Sequence, residues 1–303
     1  MSDARRPAGR AAAVGQRPAV EQTAGAMINP LLDEPNGQGR VQGEMRVFIV
    51  HAHPEPRSFN GAMTRAAAAA LKEAGHELAV SDLYAMGFDP VSDRHNFTTV
   101  NDPDYYRQQA EEAHAAKHDG FAAELQGEMD KLFWCDALIL QFPLWWFGLP
   151  AILKGWVDRV FASGGRIYGG GKWYDRGVFA GKRAMLSATI GGPASMYSEQ
   201  GLNGPISTIL FPVNHGILYF TGFTVVEPFL VYAPARRDEH ERAAELNRYR
   251  ARLLGIGSAP TIAYPRLGDY ALLKPAPTKE DPAEAQVVTA GLFDDFWRIP
   301  KKQ

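Results

Sequence analysis

The stretch Arg46-Val47-Phe48-Ile49-Val50-His51-Ala52-His53-Pro54 decides the fold. Val47 to Val50 is an unbroken apolar run without polar alternation, which reads as a strand covered on both faces, the environment of a parallel sheet. Ser58-Phe59-Asn60 then introduces an Ala-rich helical pattern over Gly61–Ala74, stopped by Gly75. Glu77–Leu83 reads as a second strand, so the first forty ordered residues or so form one βαβ unit.

Working outward, the same alternation repeats. Helical spacing runs over Phe121–Trp134, a strand follows over Ala137–Leu140, and Pro150 is placed to open the next helix at its first turn. A Gly-rich loop, Gly164–Gly171, precedes a strand at Arg183–Thr189. Ile206–Phe220 has helix spacing, Thr224–Tyr232 is a strand, and Asp238–Leu254 is a closing helix. The pattern predicts an α/β doubly wound parallel sheet of five strands in the flavodoxin-like order 2-1-3-4-5. It fills residues 45–255. Residues 1–44 read as a flexible N-terminal tail and 256–303 as an irregular, proline-rich extension. Within the α/β part, residues 88–118 show no period and read as a long loop, a length usually tied to function.

Composition narrows the partners. The net charge of −2 gives no basic field for nucleic acid or anionic lipid. No apolar run reaches the roughly 18 residues of a membrane span, and the Arg- and Ala-rich start lacks the apolar centre of a secretory signal. One cysteine, Cys135, excludes an internal disulfide and fits a reducing, cytoplasmic setting. His51 and His53 have no carboxylate or thiolate beside them, so no metal site is expected.

In an open α/β sheet, ligands bind beyond the carboxyl ends of the strands where strand order reverses. Three loops meet there: His51–Asn60, Gln141–Gly148 and Thr189–Tyr197. The first ends at a helix start, where free N–H groups favour a phosphate, although Ser58 also reads as a simple helix cap. There is no G-x-G-x-x-G for a directly held dinucleotide, and no P-loop. The second loop carries Trp145, Trp146 and Phe147 between Pro143 and Pro150. Large rings in such a place either fold back into the core or stack on something flat. In the third, Ile190-Gly191-Gly192 lets backbone approach a ligand closely, with Tyr197 as a donor beyond it. Together the loops suit a planar cofactor with a phosphate tail, such as a flavin.

These residues also carry a resemblance. QFPLWWFGLPAILKGWVDRVF (141–161), HPEPRSFNGAM (53–63), SDLYAMGFDP (81–90), TIGGPASMYSEQGLNG (189–204) and GILYFTGFTVVEP (216–228) closely resemble the NAD(P)H:quinone oxidoreductase family of the DT-diaphorase type. The resemblance covers roughly residues 45–255 and implies FAD, NADH or NADPH as hydride donor, a quinone-like acceptor, ping-pong exchange, and a homodimer with its active site at the interface. It places His53, Ser58, Phe59 and Asn60 at the pyrophosphate and ribityl chain. Pro143, Leu144, Trp145, Trp146 and Phe147 would lie along the isoalloxazine, with Thr189, Ile190, Gly191 and Gly192 at its polar edge. Tyr197 matches the tyrosine near flavin N1 and O2, and Arg242 and Leu246 match positions at the adenine. Trp146, Phe147, Tyr168 and Tyr219 would line the substrate, and Tyr197, Gly191 and Asn203 would carry the chemistry.

The departures are specific. Asn203 stands where the family has its catalytic histidine, Tyr219 where mammalian-type members have another, and Trp145 where they have glutamine. Alternatives left open by the sequence are an ancillary regulatory subunit of a potassium-efflux transporter, an FMN one-electron carrier, or a nitro- or azo-reductase.

Overall fold

A computed structural model describes residues 43–269. Five strands, β1 (Arg46–His51), β2 (Glu77–Asp82), β3 (Ala137–Pro143), β4 (Arg183–Ile190) and β5 (Thr224–Tyr232), pair in parallel in the order β2-β1-β3-β4-β5. The register carries His51 beside Gln141, Pro143 beside Thr189 and Ile190 beside Tyr232, so the carboxyl ends of β1, β3 and β4 lie together.

The unbroken apolar strands are covered on both sides, as their sequence requires. Val47, Ile49, Ile139 and Met185 face α1 (Phe59–Glu73) and α6 (Glu239–Leu254), where they meet Met63, Ala67, Leu71, Tyr249 and Leu253. Phe48, Val50, Leu138, Leu140 and Leu186 face the other way. They pack on α3 (Ala123–Trp134) and α4 (Ala151–Val160) through Leu125, Met129, Leu153 and Trp156, and on Leu210 and Val213 of α5 (Ile206–Val213). The indole of buried Trp156 donates to Glu128 Oε2 at 2.8 Å, and Ser81 and Lys131 complete that carboxylate's shell, so this buried charge is paired rather than bare.

Two sequence expectations change. The supposed loop 88–118 contains a helix, α2 (Gln108–His118). Its inward face carries Glu111 and Glu112, which are buried, so the apolar stripe that marks a helix in sequence is missing. Glu111 accepts the N–H groups of Asn101 and Asp102, and Glu112 accepts that of Ser163. Buried Arg159 of α4 ties down the rest, donating to Asn96 Oδ1 and the Asp89 carbonyl and pairing with Glu124. Second, helix spacing over Ile206–Phe220 divides at Pro212, and Asn214–Tyr219 widens into a π-helix. The first part of the C-terminal extension, irregular as expected, packs on the sheet. Thr261 bridges Val226 in antiparallel fashion, with Glu227 N–H donating to Pro260 and Ile262 N–H to Val225, so this segment covers the exposed edge of β5. The expected tail over residues 1–44 falls almost wholly, and the extension beyond 269 entirely, outside the described residues.

Candidate active site

The three loops are laced together by backbone bonds. Ala52 N–H donates to Gln141, Leu144 N–H to Thr189 at 2.8 Å, and Ala233 N–H to Ile190. The edges of β1, β3, β4 and β5 therefore move as one frame.

The β1 loop ends at α1, where Ser58 caps the helix by accepting the Gly61 N–H at 3.1 Å. Ser58 is thus a true cap, but the N–H groups of Phe59 and Asn60 have no acceptor inside the helix and remain available. Gly61 is required here, because a Cβ would sit 2.2 Å from the Pro56 carbonyl oxygen. His53 takes the Glu55 N–H on Nδ1 at 3.0 Å, and its ring lies 6.1 Å from that of Trp145. Buried His51 hydrogen-bonds Thr64 Oγ1 at 2.9 Å. Burial holds its pKa below the usual histidine range, against the opposing pull of Asp82.

The β3 loop is a two-residue turn closed by reciprocal Trp145 and Gly148 backbone bonds of 3.2 and 3.0 Å. Its central residues, Trp146 and Phe147, have φ of 50° and 59°. Two bulky residues occupy backbone space usually left to Asn and Gly. Nor does the strain bury them: Trp146 is 97% exposed and Phe147 51%. The core explanation for these aromatics fails on exposure, so the protein holds two rings in solvent at a conformational cost, a combination found at ligand clamps.

The β4 loop folds its tyrosine over the glycine turn. A Cβ on Gly192 would lie 3.1 Å from Tyr197 Cε2, whereas one on Gly191 would meet nothing within 4 Å. The loop then closes on itself. Asn203 N–H donates to the Met196 carbonyl at 2.9 Å, bringing Asn203 back beside Tyr197. Gly201 makes the closure possible, since a Cβ there would meet Met196 O at 2.4 Å. On the other side Tyr197 packs at 5.9 Å from Tyr232, whose pKa is raised by burial and by the neighbouring Tyr197. Pro143, Leu144, Thr189 and Ile190 are the half-buried or buried floor between these loops.

Arg242 and Leu246 lie on α6, which packs beside α1. Leu246 is half-buried against the same apolar cluster as Phe59, and the Arg242 guanidinium donates to the Arg237 carbonyl. Tyr168 and Tyr219 make their contacts in two other groups of side chains. Tyr168 lies in a separate groove of about 230 Å³ with Glu112, Phe161, Ile217 and Phe220, its ring 5.7 Å from Phe220. Burial and the nearby Glu112 raise its pKa. Tyr219 donates to the Pro265 carbonyl at 2.7 Å and belongs to an aromatic group with Tyr174, His215 and Tyr264. Sequence reading missed the closure of Asn203 onto Met196, the Glu112 groove and the buried partners of Thr189. Only Gly201 signalled the first of these.

Comparison with known proteins agrees with this fold. Residues 45–253 match a family described as having a flavodoxin-like fold. The chain is 45% identical over 212 residues to NAD(P)H dehydrogenase (quinone) 1 of Cavia porcellus, spanning 70% of this chain and 77% of that protein. It is 41% identical over 212 residues to human ribosyldihydronicotinamide dehydrogenase (quinone), spanning 70% and 91%. A crystal structure assigned to a quinone reductase from Klebsiella pneumoniae superposes with a TM-score of 0.72 at 41% identity, covering 75% of this chain and 91% of that one. With the sheet order, the three laced loops and these similarities in agreement, the chain belongs to the flavodoxin-like oxidoreductases of the NAD(P)H:quinone oxidoreductase (DT-diaphorase) family.

Proposed function

We propose that the protein holds FAD across the three loops and catalyses the two-electron reduction of quinones, or related flat electrophiles, by NADH or NADPH in a ping-pong exchange, as a cytoplasmic homodimer. The strained, solvent-exposed Trp146-Phe147 turn carries this reading, because stacking on a flat ligand repays holding both rings there. The remaining residues fit a flavin. The α1 start offers uncommitted N–H groups to a pyrophosphate, and the open space at Gly191 lets a ring edge reach the backbone.

When bound, the flavin supplies the hydride chemistry between nicotinamide and quinone. The chain supplies the setting. His53, Ser58, Phe59 and Asn60 hold the phosphates, and Arg242 and Leu246 the adenine. Leu144, Trp145, Trp146 and Phe147 cover the ring plane and exclude water. The Gly191 and Gly192 N–H groups and the Tyr197 O–H donate where negative charge gathers at the ring's carbonyl edge. Asn203, whose backbone is tethered to Met196 next to Tyr197, is neutral and cannot become a cation, so the charge there is met by hydrogen-bond donors such as the Tyr197 O–H. The groove of Tyr168, Ile217 and Phe220 supplies the far wall of the substrate slot from a second copy of the chain.

The test is an anaerobic half-reaction. NADH or NADPH alone bleaches the flavin, and a quinone then restores its colour. A requirement for quinone before any nicotinamide is oxidised contradicts the ping-pong order. A Tyr197→Phe variant with unchanged flavin reduction removes the tyrosine from the mechanism.

A further inference from the structure

Beneath the three loops runs a chain of polar side chains that the fold itself does not need. Tyr249 of α6 is fully buried and its O–H donates to Gln141 Oε1 at 3.0 Å. Gln141 Nε2, on β3 and also fully buried, donates to Asn60 Oδ1 at 2.7 Å. Asn60 Nδ2, at the start of α1, donates to Thr189 Oγ1 at 2.7 Å. Asn60 is 2% and Thr189 7% exposed, so no step of the chain competes with bulk water. These side chains come from α6, β3, α1 and β4, and an apolar set would pack the same space without polar groups to satisfy.

We propose that this chain is a directional relay that fixes the Thr189 hydroxyl as an outward hydrogen-bond donor to the flavin, making Tyr249 and Gln141 positioning residues for a cofactor they do not touch. The inference rests on the flavin reading above. Its direction follows from counting donors. An amide offers a donating nitrogen at one end and an accepting oxygen at the other, so both amides must point the same way along the chain. In the order Tyr249, Gln141, Asn60, Thr189, every bond has one donor and one acceptor. In the reverse order Thr189 donates inward, both amides flip, and Tyr249 turns its O–H to the neighbouring Ser187 Oγ, a buried hydroxyl with no other partner among the described residues, whose own proton is then left without an acceptor. A stranded buried donor is costly, and that cost selects the forward direction. Thr189 Oγ1 is then occupied as an acceptor from Asn60, and its proton is left to point elsewhere. Thr189 lies at the carboxyl end of β4, next to Ile190 and the Gly191-Gly192 turn, which is the end of the sheet where ligands bind in this fold. Burial also pushes the Tyr249 phenol well above its usual range, so it stays a donor at every physiological pH.

Removing the Tyr249 hydroxyl leaves both directions with one loose end each, and the selection is lost. The experiment is a double-mutant cycle on FAD affinity, read by titrating apoprotein with FAD and following flavin fluorescence. Tyr249→Phe is expected to weaken FAD binding about fivefold, the scale of one hydrogen bond. Thr189→Val, which removes the donor, is expected to weaken it by at least as much, while Thr189→Ser keeps wild-type affinity. In the Thr189→Val background, Tyr249→Phe should cause no further loss, and the flavin midpoint potential should show the same non-additivity. Gln141→Met, which breaks the relay at its centre while keeping bulk, should behave as Tyr249→Phe does and serves if that variant folds poorly. A fivefold loss repeated in both backgrounds means Tyr249 acts only on general packing and overturns the relay, as does unchanged affinity in Tyr249→Phe. Wild-type apoprotein that takes up no FAD overturns the flavin reading itself, and the relay with it.

Discussion

Replacing Trp146-Phe147 by Asn-Gly should make the apoprotein more stable while destroying its function. Both positions have positive φ, 50° and 59°. A bulky L-residue loses about 1–2 kcal/mol in that region relative to its preferred backbone, whereas Asn-Gly is the pair that two-residue hairpin turns favour. Trp146 is 97% exposed, so its removal forfeits almost no burial, while Phe147, at 51%, forfeits about 1 kcal/mol. Glycine adds an entropic cost of roughly 0.5–1 kcal/mol to ordering the turn. The balance is a net gain of about 1–2 kcal/mol, which for a domain of this size raises Tm by about 2–8 °C. The comparison must be made on apoproteins, because flavin binding would stabilise the parent by mass action. Differential scanning calorimetry gives the stability, and FAD titration with quinone turnover gives the function, which should fall by about ten- to a hundredfold, the scale of losing ring-stacking contacts from two aromatics. A lowered Tm would show that the turn is not strained by its aromatics. A stabilised protein with undiminished FAD affinity would show that the strain serves something other than the flavin.

Other outcomes follow from single contacts. Gly201→Ala places a Cβ 2.4 Å from the Met196 carbonyl oxygen, so the loop that returns Asn203 to Tyr197 must open; turnover should drop roughly tenfold while Tm, set by the core, moves by less than about 3 °C. The Cys135 thiol, buried and pushed up to about 12, should resist alkylation in native protein at pH 8 and react only after unfolding, as intact mass will show. Burial depresses the His215 pKa, so its neutral form is the one the folded state favours. As pH falls below the ordinary histidine value of about 6.5 the unfolded chain gains a proton first, and stability is lost toward acid. The wild-type Tm should therefore fall more between pH 7 and pH 5 than that of His215→Gln, and equal slopes would exclude His215 as the source.

The fold was legible because its strands are unbroken apolar runs and its helices carry apolar stripes. Val47 to Val50 admits few environments other than the middle of a parallel sheet, and Tyr249, Leu253 and Met63 fall on the stripes that meet it. Helix α2 escaped because its inner face is built from Glu111 and Glu112, whose partners come from distant loop amides and from Ser163. The break after Val213 was hidden because a π-helix of six residues is too short to set an apolar period of its own. At the site, the residue types in the three loops were readable, but their roles depend on backbone. Trp146 could have been core until its positive φ and exposure were known. Asn203 was readable only as a departure from a family histidine, and its tether to Met196 needed the loop to close. The relay from Tyr249 to Thr189 links positions 60, 141, 189 and 249, which meet only through sheet register and the packing of α6 on α1.

The central claim is that a flavin, specifically FAD, occupies the edge formed by the β1, β3 and β4 loops. The most direct measurement is to titrate apoprotein with FAD and with FMN, following flavin fluorescence and the visible absorption band, with the Trp146-Phe147→Asn-Gly variant alongside. Saturable, stoichiometric uptake of FAD is expected, with weaker binding of FMN because it lacks the adenine that Arg242 and Leu246 would meet, and loss of uptake in the variant. A folded wild-type protein that binds neither flavin, or a variant that binds FAD as the parent does, would contradict it.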